Sequence, residues 1–233
     1  MRPPSGPGCG ADADAIGSGS VLASLAWRRA RIRWKNAAQM TSPSPTRLVP
    51  VPFAEWDDET RTTLLSYLRR PELYLSGAPD APPMPVVFEL FALHLPLSET
   101  FLAFTDVMAG DHSRLEPRVR ELAILRVAWR TRSGYEWNQH RRMGGDEGLT
   151  DAQLDAVPDG PTASVWSPAE RAVLTAADEM IDRFAVSDET WATLSSSLEA
   201  ASLFELLFVI GGYLCLAAVL NSIGLRGDIT EAS

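Results

Sequence analysis

Apolar residues recur at helical spacing along most of the chain from residue 57 onward, with polar residues between them. No stretch of the sequence combines sustained apolar–polar alternation with the turn residues of a β-hairpin. The pattern therefore predicts an all-α domain, a helical bundle of about eight helices. The segments that carry it are residues 57–70, 86–95, 96–110, 115–132, 133–148, 149–157, 167–184, 187–200 and 203–225.

Signals at the segment ends support these helices. Residues 57–70 begin with acidic side chains and end with arginines, which matches the polarity of a helix, and Pro71 is expected to end the segment. Residues 79–85 form a proline-rich loop before the next segment. Ser167, followed by Glu170, fits a capping box at the start of residues 167–184.

The last segment is apolar enough to raise the question of a membrane. Residues 206–225 carry no charge over 20 positions, a length that can span a bilayer. The segment also contains Gly211, Gly212 and Asn221, lacks an aromatic belt, and has no basic flank before Arg226. A helix that is apolar on all sides is also typical of a core or a subunit interface. We therefore expect a buried or interfacial helix and no membrane partner.

Charge narrows the range of partners. Residues 1–39 hold six of the 21 basic residues and two of the 30 acidic ones, so the remainder has a formal charge of about −13. Such a body repels phosphate backbones, which disfavours nucleic-acid binding. The two cysteines, Cys9 and Cys215, form no CxxC or metal-ligand pattern. A disulfide scaffold, a structural zinc site and dithiol chemistry are therefore disfavoured, and a cytoplasmic location is expected.

The amino-terminal extension differs in composition from the rest. Residues 1–20 are rich in Gly, Pro, Ser and Ala, which is typical of disorder. Residues 21–36 could form a basic amphipathic helix at a membrane surface or have no structural role. Met40 resembles a natural start, so residues 1–39 could also be an over-called extension. We expect residues 1–45 to be disordered or mis-called, and residues 46–233 to form the helical domain.

Glu121 is a carboxylate on an apolar helix face. Helical spacing places it beside Ile124, Leu125 and Ala128. Burial raises the pKa of a carboxyl toward the range in which it exchanges protons at neutral pH, unless a cation compensates. Arg118, three residues earlier, could instead form a structural ion pair with Glu121.

Glu136 and His140 are four residues apart on the next predicted helix, so their side chains lie one above the other. A carboxylate at this position can fix the tautomer of the imidazole, which is half of an acid–base device. Tyr135 and Trp137 flank the pair and are expected to shelter it from water. The alternative is an ordinary surface pair, since a single E-x-x-x-H spacing is weak evidence and lacks the second histidine of a zinc signature.

The other two histidines and the common catalytic and nucleotide-binding motifs give less information about function. His94 lies near a predicted helix end, where it could contribute to a pocket or cap the last carbonyls, and His112 is expected to be solvated. The sequence contains no G-x-S-x-G, P-loop, G-x-G-x-x-G or kinase pattern. Nucleophilic-serine and nucleotide chemistry therefore lack support, and no metal or cofactor is expected.

Residues 115–157, LEPRVRELAILRVAWRTRSGYEWNQHRRMGGDEGLTDAQLDAV, strongly resemble the carboxymuconolactone decarboxylase family, whose fold is shared with the alkylhydroperoxidase D-like proteins. FALHLPLSETF upstream and the final apolar segment are similar to the family as well, so the resemblance covers roughly residues 55–226. It implies an all-helical alkylhydroperoxidase D-like bundle. It also implies assembly into trimers or hexamers, which the apolar final helix independently favours.

One departure from the family separates its branches. In the peroxidase branch a glutamate is followed by cysteines 12 and 15 positions later and by a histidine 19 positions later. Here Glu121 and His140 hold the outer positions, whereas Ser133 and Glu136 stand where the cysteines would be. Neither replacement can cycle through a sulfenic acid and a disulfide. The resemblance therefore implies a relative that lacks the CxxC cysteines and keeps the proton-handling residues.

The decarboxylase branch implies cofactor-independent loss of CO2 from a small lactone or keto acid. His140 would deliver the proton, Glu136 would orient it, and Glu121 would relay or hold a second proton. Arg132 or Arg141 could bind a substrate carboxylate. The expected substrate contacts are Tyr135, Trp137, Ser133, Arg132 and His94.

Two further functions stay open at this point. One is a peroxidase-like oxidoreductase that uses another reductant. The other is a non-catalytic, ligand-binding relative. Substrate specificity depends on pocket shape, so the resemblance does not identify the small-molecule substrate.

Overall fold

The computed structural model of this chain describes residues 46–75 and 81–225. The expected extension, residues 1–45, lies outside the described residues, and so does part of the proline-rich loop. The described residues are helical and contain no strand, which confirms the predicted all-α class. The helices are α1 Asp58–Ser66, α2 Pro71–Leu75, α3 Val86–Phe91, α4 Leu95–Ala109, α5 Pro117–Thr131, α6 Gly134–Asp146, α7 Asp151–Ala156, α8 Pro168–Arg183, α9 Asp188–Ser195 and α10 Ala200–Ile223.

The helix starts follow the capping signals in the sequence. Asp57 accepts a hydrogen bond from the backbone N–H of Thr60 at the start of α1, and Ser167 and Glu170 form the predicted capping box at α8. The boundary predicted at Pro71 is wrong, because α1 already ends at Ser66 and Pro71 begins the short helix α2. Proline is favoured in the first turn of a helix, where its missing N–H has no partner to lose.

Helix α5 forms the centre of the bundle. Residues 120–128 are all buried, and the helix packs against α6, α8 and α10. A buried helix normally consists of apolar residues, but this one also carries Arg120, Glu121 and Arg126 inside the protein. Each of these ionisable groups therefore requires a partner or a function.

Arg126 joins α5 to α8 and to the loop before it. Its guanidinium donates two hydrogen bonds of 2.7 Å to the Asp178 carboxylate and one of 2.8 Å to the carbonyl of Val157. Gly160 lies against this guanidinium with a φ of 68°. A Cβ atom at Gly160 would come within 2.5 Å of Arg126 Nη2. The loop can therefore close over the ion pair only with glycine at this position.

A tight turn sets α6 against α5. Arg132 ends α5 in the left-handed conformation, with a φ of 59°. Ser133 follows directly as the N-cap of α6, and its backbone N–H donates to the carbonyl of Ala128. Because only two residues separate the helices, the first turns of α6 return along the last turns of α5. Side chains far apart in sequence are brought together there.

Two stretches are long and apolar enough to cross a membrane by length and composition alone, Val86–Ala109 and Ala200–Ile223. The first is interrupted by the 3-10 turn Ala92–His94, so it is not one continuous α-helix. The second, α10, covers α5 with one face and leaves much of its opposite face exposed. Glu205 fastens α10 to the loop before α5 by accepting hydrogen bonds from Ser113 and from the backbone N–H of Arg114.

Candidate active site

The centre of the candidate site is a buried pair between α5 and α6. His140 Nδ1 lies 2.7 Å from Glu121 Oε2, and the two residues are only 7% and 1% exposed. Glu121 lies beside Ile124, Leu125 and Ala128, all of them buried, as the helical spacing predicted. The pair therefore lies in a largely dry environment, in which a carboxylate and an imidazole interact more strongly than they do in water.

Arg120 adds a buried cation to the pair, which sequence reasoning missed. Its Nε lies 3.4 Å from Glu121 Oε1, and its Nη1 lies 3.4 Å from the carbonyl oxygen of Met108. Arg118, which the sequence offered as the partner of Glu121, pairs with Glu170 instead. The difference follows from the helix geometry, since Arg118 faces α8 whereas Arg120 points into the bundle.

These partners determine the ionisation of Glu121. Burial alone would raise the pKa of this carboxyl, but the hydrogen bond and charge of His140, together with Arg120, lower it below its usual value. Glu121 is therefore an anion at neutral pH. Since a carboxylate can only accept, the Nδ1 atom of His140 must carry the hydrogen and donate it. The second ring nitrogen, Nε2, is then the atom that can exchange a proton with a ligand.

Glu136 is buried without such partners. It is 2% exposed, and within the described part of the chain neither carboxyl oxygen has a hydrogen-bond partner. Burial raises the pKa of Glu136 to about 8, and the nearby Ser133 hydroxyl opposes this rise. Glu136 is thus mostly protonated at neutral pH.

The predicted contact between Glu136 and His140 is therefore wrong. Their spacing on α6 does place them one turn apart on one face. However, His140 turns its Nδ1 toward Glu121 on the neighbouring helix. The charged Glu121 is the stronger acceptor, because Arg120 stabilises its anion, whereas nothing comparable supports an anion at Glu136.

Tyr213 of α10 completes the cluster and was also missed. Its ring meets the His140 ring edge to face, with the centroids 5.0 Å apart and an angle of 89° between the planes. Burial raises the pKa of the Tyr213 hydroxyl, and the charges of Glu121 and Glu136 raise it further. The phenol therefore stays neutral. The signal in the sequence was weak, since Tyr213 is a single hydroxyl-bearing aromatic in an otherwise apolar helix.

The structure places the expected substrate contacts in several different environments. Ser133 is fully buried at the start of α6, close to Glu136. Tyr135 is buried against apolar residues of α3 and the end of α10. Trp137 packs on Trp129, with ring centroids 5.3 Å apart, against a separate apolar cluster that includes Leu154 and Ala156 of α7.

Three other candidates lie away from the cluster. Arg132 is exposed at the carboxyl end of α5. His94 is exposed, and its Nδ1 accepts a hydrogen bond from the backbone N–H of Leu97, so it caps the start of α4. Arg141 pairs with Asp155 at 2.7 Å near the surface. Of these groups, only Ser133 lies beside the buried acid–base residues.

Neither a metal cluster nor a reactive thiol pair is found in the described part of the chain. No group of three His, Cys, Asp or Glu residues there is arranged to hold a metal ion. Cys215 is exposed and lies in an apolar groove of about 480 Å³ beside Phe104 and Phe208. The buried cluster itself contains a carboxylate, a neutral carboxyl and an imidazole, which are side chains that can transfer protons.

Comparisons with known proteins agree with this architecture. Residues 97–179, which include all of α5 and α6, match the model of the carboxymuconolactone decarboxylase family. No curated protein matches the chain significantly.

Several solved structures share the fold, among them the following three. One is an uncharacterized peroxidase-related protein from Ralstonia eutropha JMP134 with an alkylhydroperoxidase AhpD core (19% identity, TM-score 0.65, 80% of this chain and 94% of that one). Another is an uncharacterized peroxidase-related protein from Silicibacter sp. TM1040 (19% identity, TM-score 0.56, 79% and 93%). The third, from Agrobacterium tumefaciens, has unknown function and is proposed to be an AhpD antioxidant defence protein (16% identity, TM-score 0.56, 60% and 96%). The match to the carboxymuconolactone decarboxylase family therefore covers both helices that carry the Glu121–His140 pair, and the chain has the fold of these AhpD-like proteins.

Proposed function

We propose that this protein is a cofactor-independent acid–base enzyme, a decarboxylase or related proton-transfer enzyme that acts on a small lactone or keto acid. The observation that carries the proposal is the opposite ionisation of two buried carboxyls beside one imidazole. Glu121 is held as an anion, whereas the pKa of Glu136 is raised to about 8. Two carboxyls whose environments drive their pKa values apart are typical of an acid and a base that work together.

The reaction follows from these states. In a β-keto acid or carboxylated lactone, the bond to the carboxylate breaks and CO2 leaves, and the electron pair moves into the adjacent carbonyl to give an enolate. Protonation of the carbon then gives the product, and no net oxidation or reduction occurs. His140 supplies this proton from Nε2, while Glu121 accepts the Nδ1 hydrogen bond and stabilises the imidazolium. Glu136, in its neutral form, donates a hydrogen bond to an oxygen of the substrate.

The test is direct. Purified protein is incubated with a panel of β-keto acids and carboxylated lactones, and CO2 release is followed together with loss of substrate. His140→Ala is expected to lose at least about 100-fold in rate while circular dichroism shows an unchanged helical content. Retained turnover in this variant would remove the histidine from the mechanism. If no substrate reacts, and Glu136→Gln and His140→Ala alter only stability, a non-catalytic ligand-binding relative becomes the better description.

A second candidate is a peroxidase-like oxidoreductase of the alkylhydroperoxidase D type. The observation in its favour is that two of the similar structures are peroxidase-related proteins. Ser133 and Glu136 occupy the positions where the family resemblance leads us to expect two thiols, so this candidate requires another electron donor. Consumption of an organic hydroperoxide, measured with and without a dithiol, separates the two functions. Peroxide turnover that survives alkylation of the cysteines, without CO2 release, would favour this candidate over the decarboxylase.

We also propose that the protein associates with copies of itself through α4 and α10. Phe204, Phe208 and Val219 of α10 are 63%, 46% and 52% exposed, and Leu97 and Val107 of α4 are 64% and 55% exposed. The 24 residues of α10 span about 36 Å and the 15 residues of α4 about 22 Å, so at about 10 Å of width each the two helices present roughly 600 Å². A stable interface buries about 800 Å² on each partner, so this face can supply most of one.

A second copy fits this face better than a membrane does. Residues 206–225 contain no charged side chain that would have to be desolvated at a protein interface. The body of about −13 formal charge would be repelled by anionic lipid headgroups. This reasoning also supports a cytoplasmic location.

A further inference from the structure

Three of the described helices begin with the same sequence signature, a serine or threonine followed three residues later by glutamate or glutamine. At α7, the Thr150 side chain accepts from the backbone N–H of Gln153, and the Gln153 side chain accepts from that of Thr150. At α8, Ser167 and Glu170 do the same. Both are closed capping boxes.

The third signature, at α6, stays open. Ser133 is the N-cap and Glu136 is the third helical residue, yet neither side chain caps the backbone. Backbone conformation accounts for part of the difference, because ψ is 93° at Ser133 and 163° at Ser167. The Ser133 hydroxyl and both Glu136 carboxyl oxygens are buried and have no hydrogen-bond partner in the part of the chain that the structure describes.

This arrangement sacrifices local stability. A closed box would satisfy polar groups that otherwise lose their hydration without compensation, and such groups are rare in folded proteins. The same residue pattern forms closed capping boxes at α7 and α8, so the pattern itself does not prevent a box from closing. The open box therefore points to a partner that comes from outside the chain, at the start of a 13-residue helix whose first-turn N–H groups carry partial positive charge.

We propose that Ser133, Glu136 and the amino-terminal turn of α6 form an oxyanion subsite, which binds the carbonyl or enolate oxygen of the ligand. The hydroxyl and the neutral carboxyl each donate a hydrogen bond to this oxygen. His140 lies one turn further along the same face of α6, so it is positioned to exchange a proton with the carbon next to that carbonyl. The identification of the bound group as a carbonyl or enolate oxygen rests on the proposed function. In that function, the subsite stabilises the negative charge that develops on the enolate oxygen.

A phenol tests this subsite without any turnover, because a phenolate mimics an enolate oxygen and 4-nitrophenolate is coloured. Titrated with wild-type protein at a pH below its solution pKa, 4-nitrophenol is expected to bind and to gain the phenolate absorbance. No binding, or binding of the neutral phenol alone, would overturn the proposal, whatever the variants do.

The variants then locate the site. Ser133→Ala is expected to weaken binding about tenfold, and Glu136→Leu by tenfold to a hundredfold, because each removes one donor to a charged oxygen. Glu136→Gln keeps a donor and should stay within a few-fold of wild type. Ser167→Ala, which removes the same side chain from the closed box at α8, is the matched control and should bind 4-nitrophenol as wild type does. Equal affinity for Ser133→Ala, Glu136→Leu and Ser167→Ala would refute the assignment.

The result is independent of the decarboxylase assay. Phenolate binding that depends on Ser133 and Glu136, in a protein that releases no CO2 from any substrate, would keep the subsite and reject the proposed function. CO2 release by a protein that neither binds nor ionises 4-nitrophenol would keep the proposed function and reject the subsite.

Discussion

His140 donates its Nδ1 hydrogen to Glu121, which lies 2.7 Å away and 19 residues earlier in the chain, and not to Glu136, one helical turn away on its own helix. The choice of partner separates the roles of the two carboxyls. Glu121 is engaged and ionised, while Glu136 is left unpaired and mostly neutral at pH 7. A single hydrogen bond thus divides two chemically identical side chains into a positioning residue and an acid.

Glu121→Gln tests the positioning role. The amide keeps the shape of the side chain and can still accept from His140, but it removes the charge that stabilises an imidazolium. The rate of CO2 release is expected to fall roughly 100-fold with little change in KM, as measured by steady-state kinetics. Glu170→Gln is the matched control, because Glu170 pairs with Arg118 away from the cluster. An equal loss in both variants would point to a general effect on the fold.

Glu136 makes stability fall as the pH rises. The pKa of Glu136 is raised from 4.5 to about 8 in the folded protein, so between these values the folded state holds a proton that the unfolded state has released. Stability from this residue is therefore greatest below pH 4.5 and declines up to about pH 8, by roughly 4 to 5 kcal/mol as an upper bound. Urea unfolding should show that Glu136→Gln gains stability relative to wild type across this interval.

Glu170 is a control because its contribution to stability depends on pH in the opposite direction. Burial alone would raise its pKa, but Ser167 and Arg118 lower it below the usual value. Its contribution to stability is therefore present at neutral pH and is lost as the pH falls through the folded pKa. Glu170→Gln should thus be less stable than wild type at neutral pH, and the difference should shrink in acid. Parallel pH profiles for Glu136→Gln and wild type would contradict the raised pKa.

How far the sequence predicts this site depends on the range of each interaction. Helical spacing correctly buried Glu121 on an apolar face, because that pattern is local to one helix. The same reasoning wrongly paired Glu136 with His140, because spacing along one helix gives no information about a hydrogen-bond acceptor on the neighbouring helix. Arg120 was overlooked because neighbouring residues on a helix point in directions about 100° apart. Tyr213 reaches the site only through the packing of α10 on α5, which no local pattern encodes.

The helix starts give a prediction about stability alone. Ser167→Ala opens a closed capping box and should reduce the free energy of unfolding by about 1 kcal/mol. Ser133→Ala removes a hydroxyl that makes no hydrogen bond, so the free energy of unfolding should stay the same or rise. Urea denaturation of the two variants beside wild type measures both effects. A loss at Ser133 as large as that at Ser167 would show that Ser133 caps α6 in solution.

Gly160→Ala should be severely destabilising. The residue has a φ of 68°, and an added Cβ would meet the Arg126 guanidinium at 2.5 Å, where the ion pair with Asp178 is held. Strain at positive φ costs about 1 kcal/mol, and displacement of a buried ion pair adds about 3 kcal/mol or more. Gly148→Ala is the matched control, with a φ of 91° and open space around the added atom. Equal shifts in the urea midpoint would show that backbone strain alone matters at Gly160.

The exposed face of α10 predicts the effect of a charge on assembly. Phe208 is 46% exposed beside the apolar groove, and Phe204 packs against it with ring centroids 4.8 Å apart. Phe208→Asp would place a carboxylate in an interface that has no charge to pair with it, so the assembly should dissociate toward monomers. Phe184→Asp is the control, because Phe184 is 86% exposed at the end of α8 and belongs to neither α4 nor α10. Size-exclusion chromatography with light scattering would then give an oligomer for wild type and Phe184→Asp and a smaller species for Phe208→Asp. A monomeric wild type would exclude self-association through α4 and α10, whereas an assembly that tolerates the aspartate would place the interface elsewhere on the molecule.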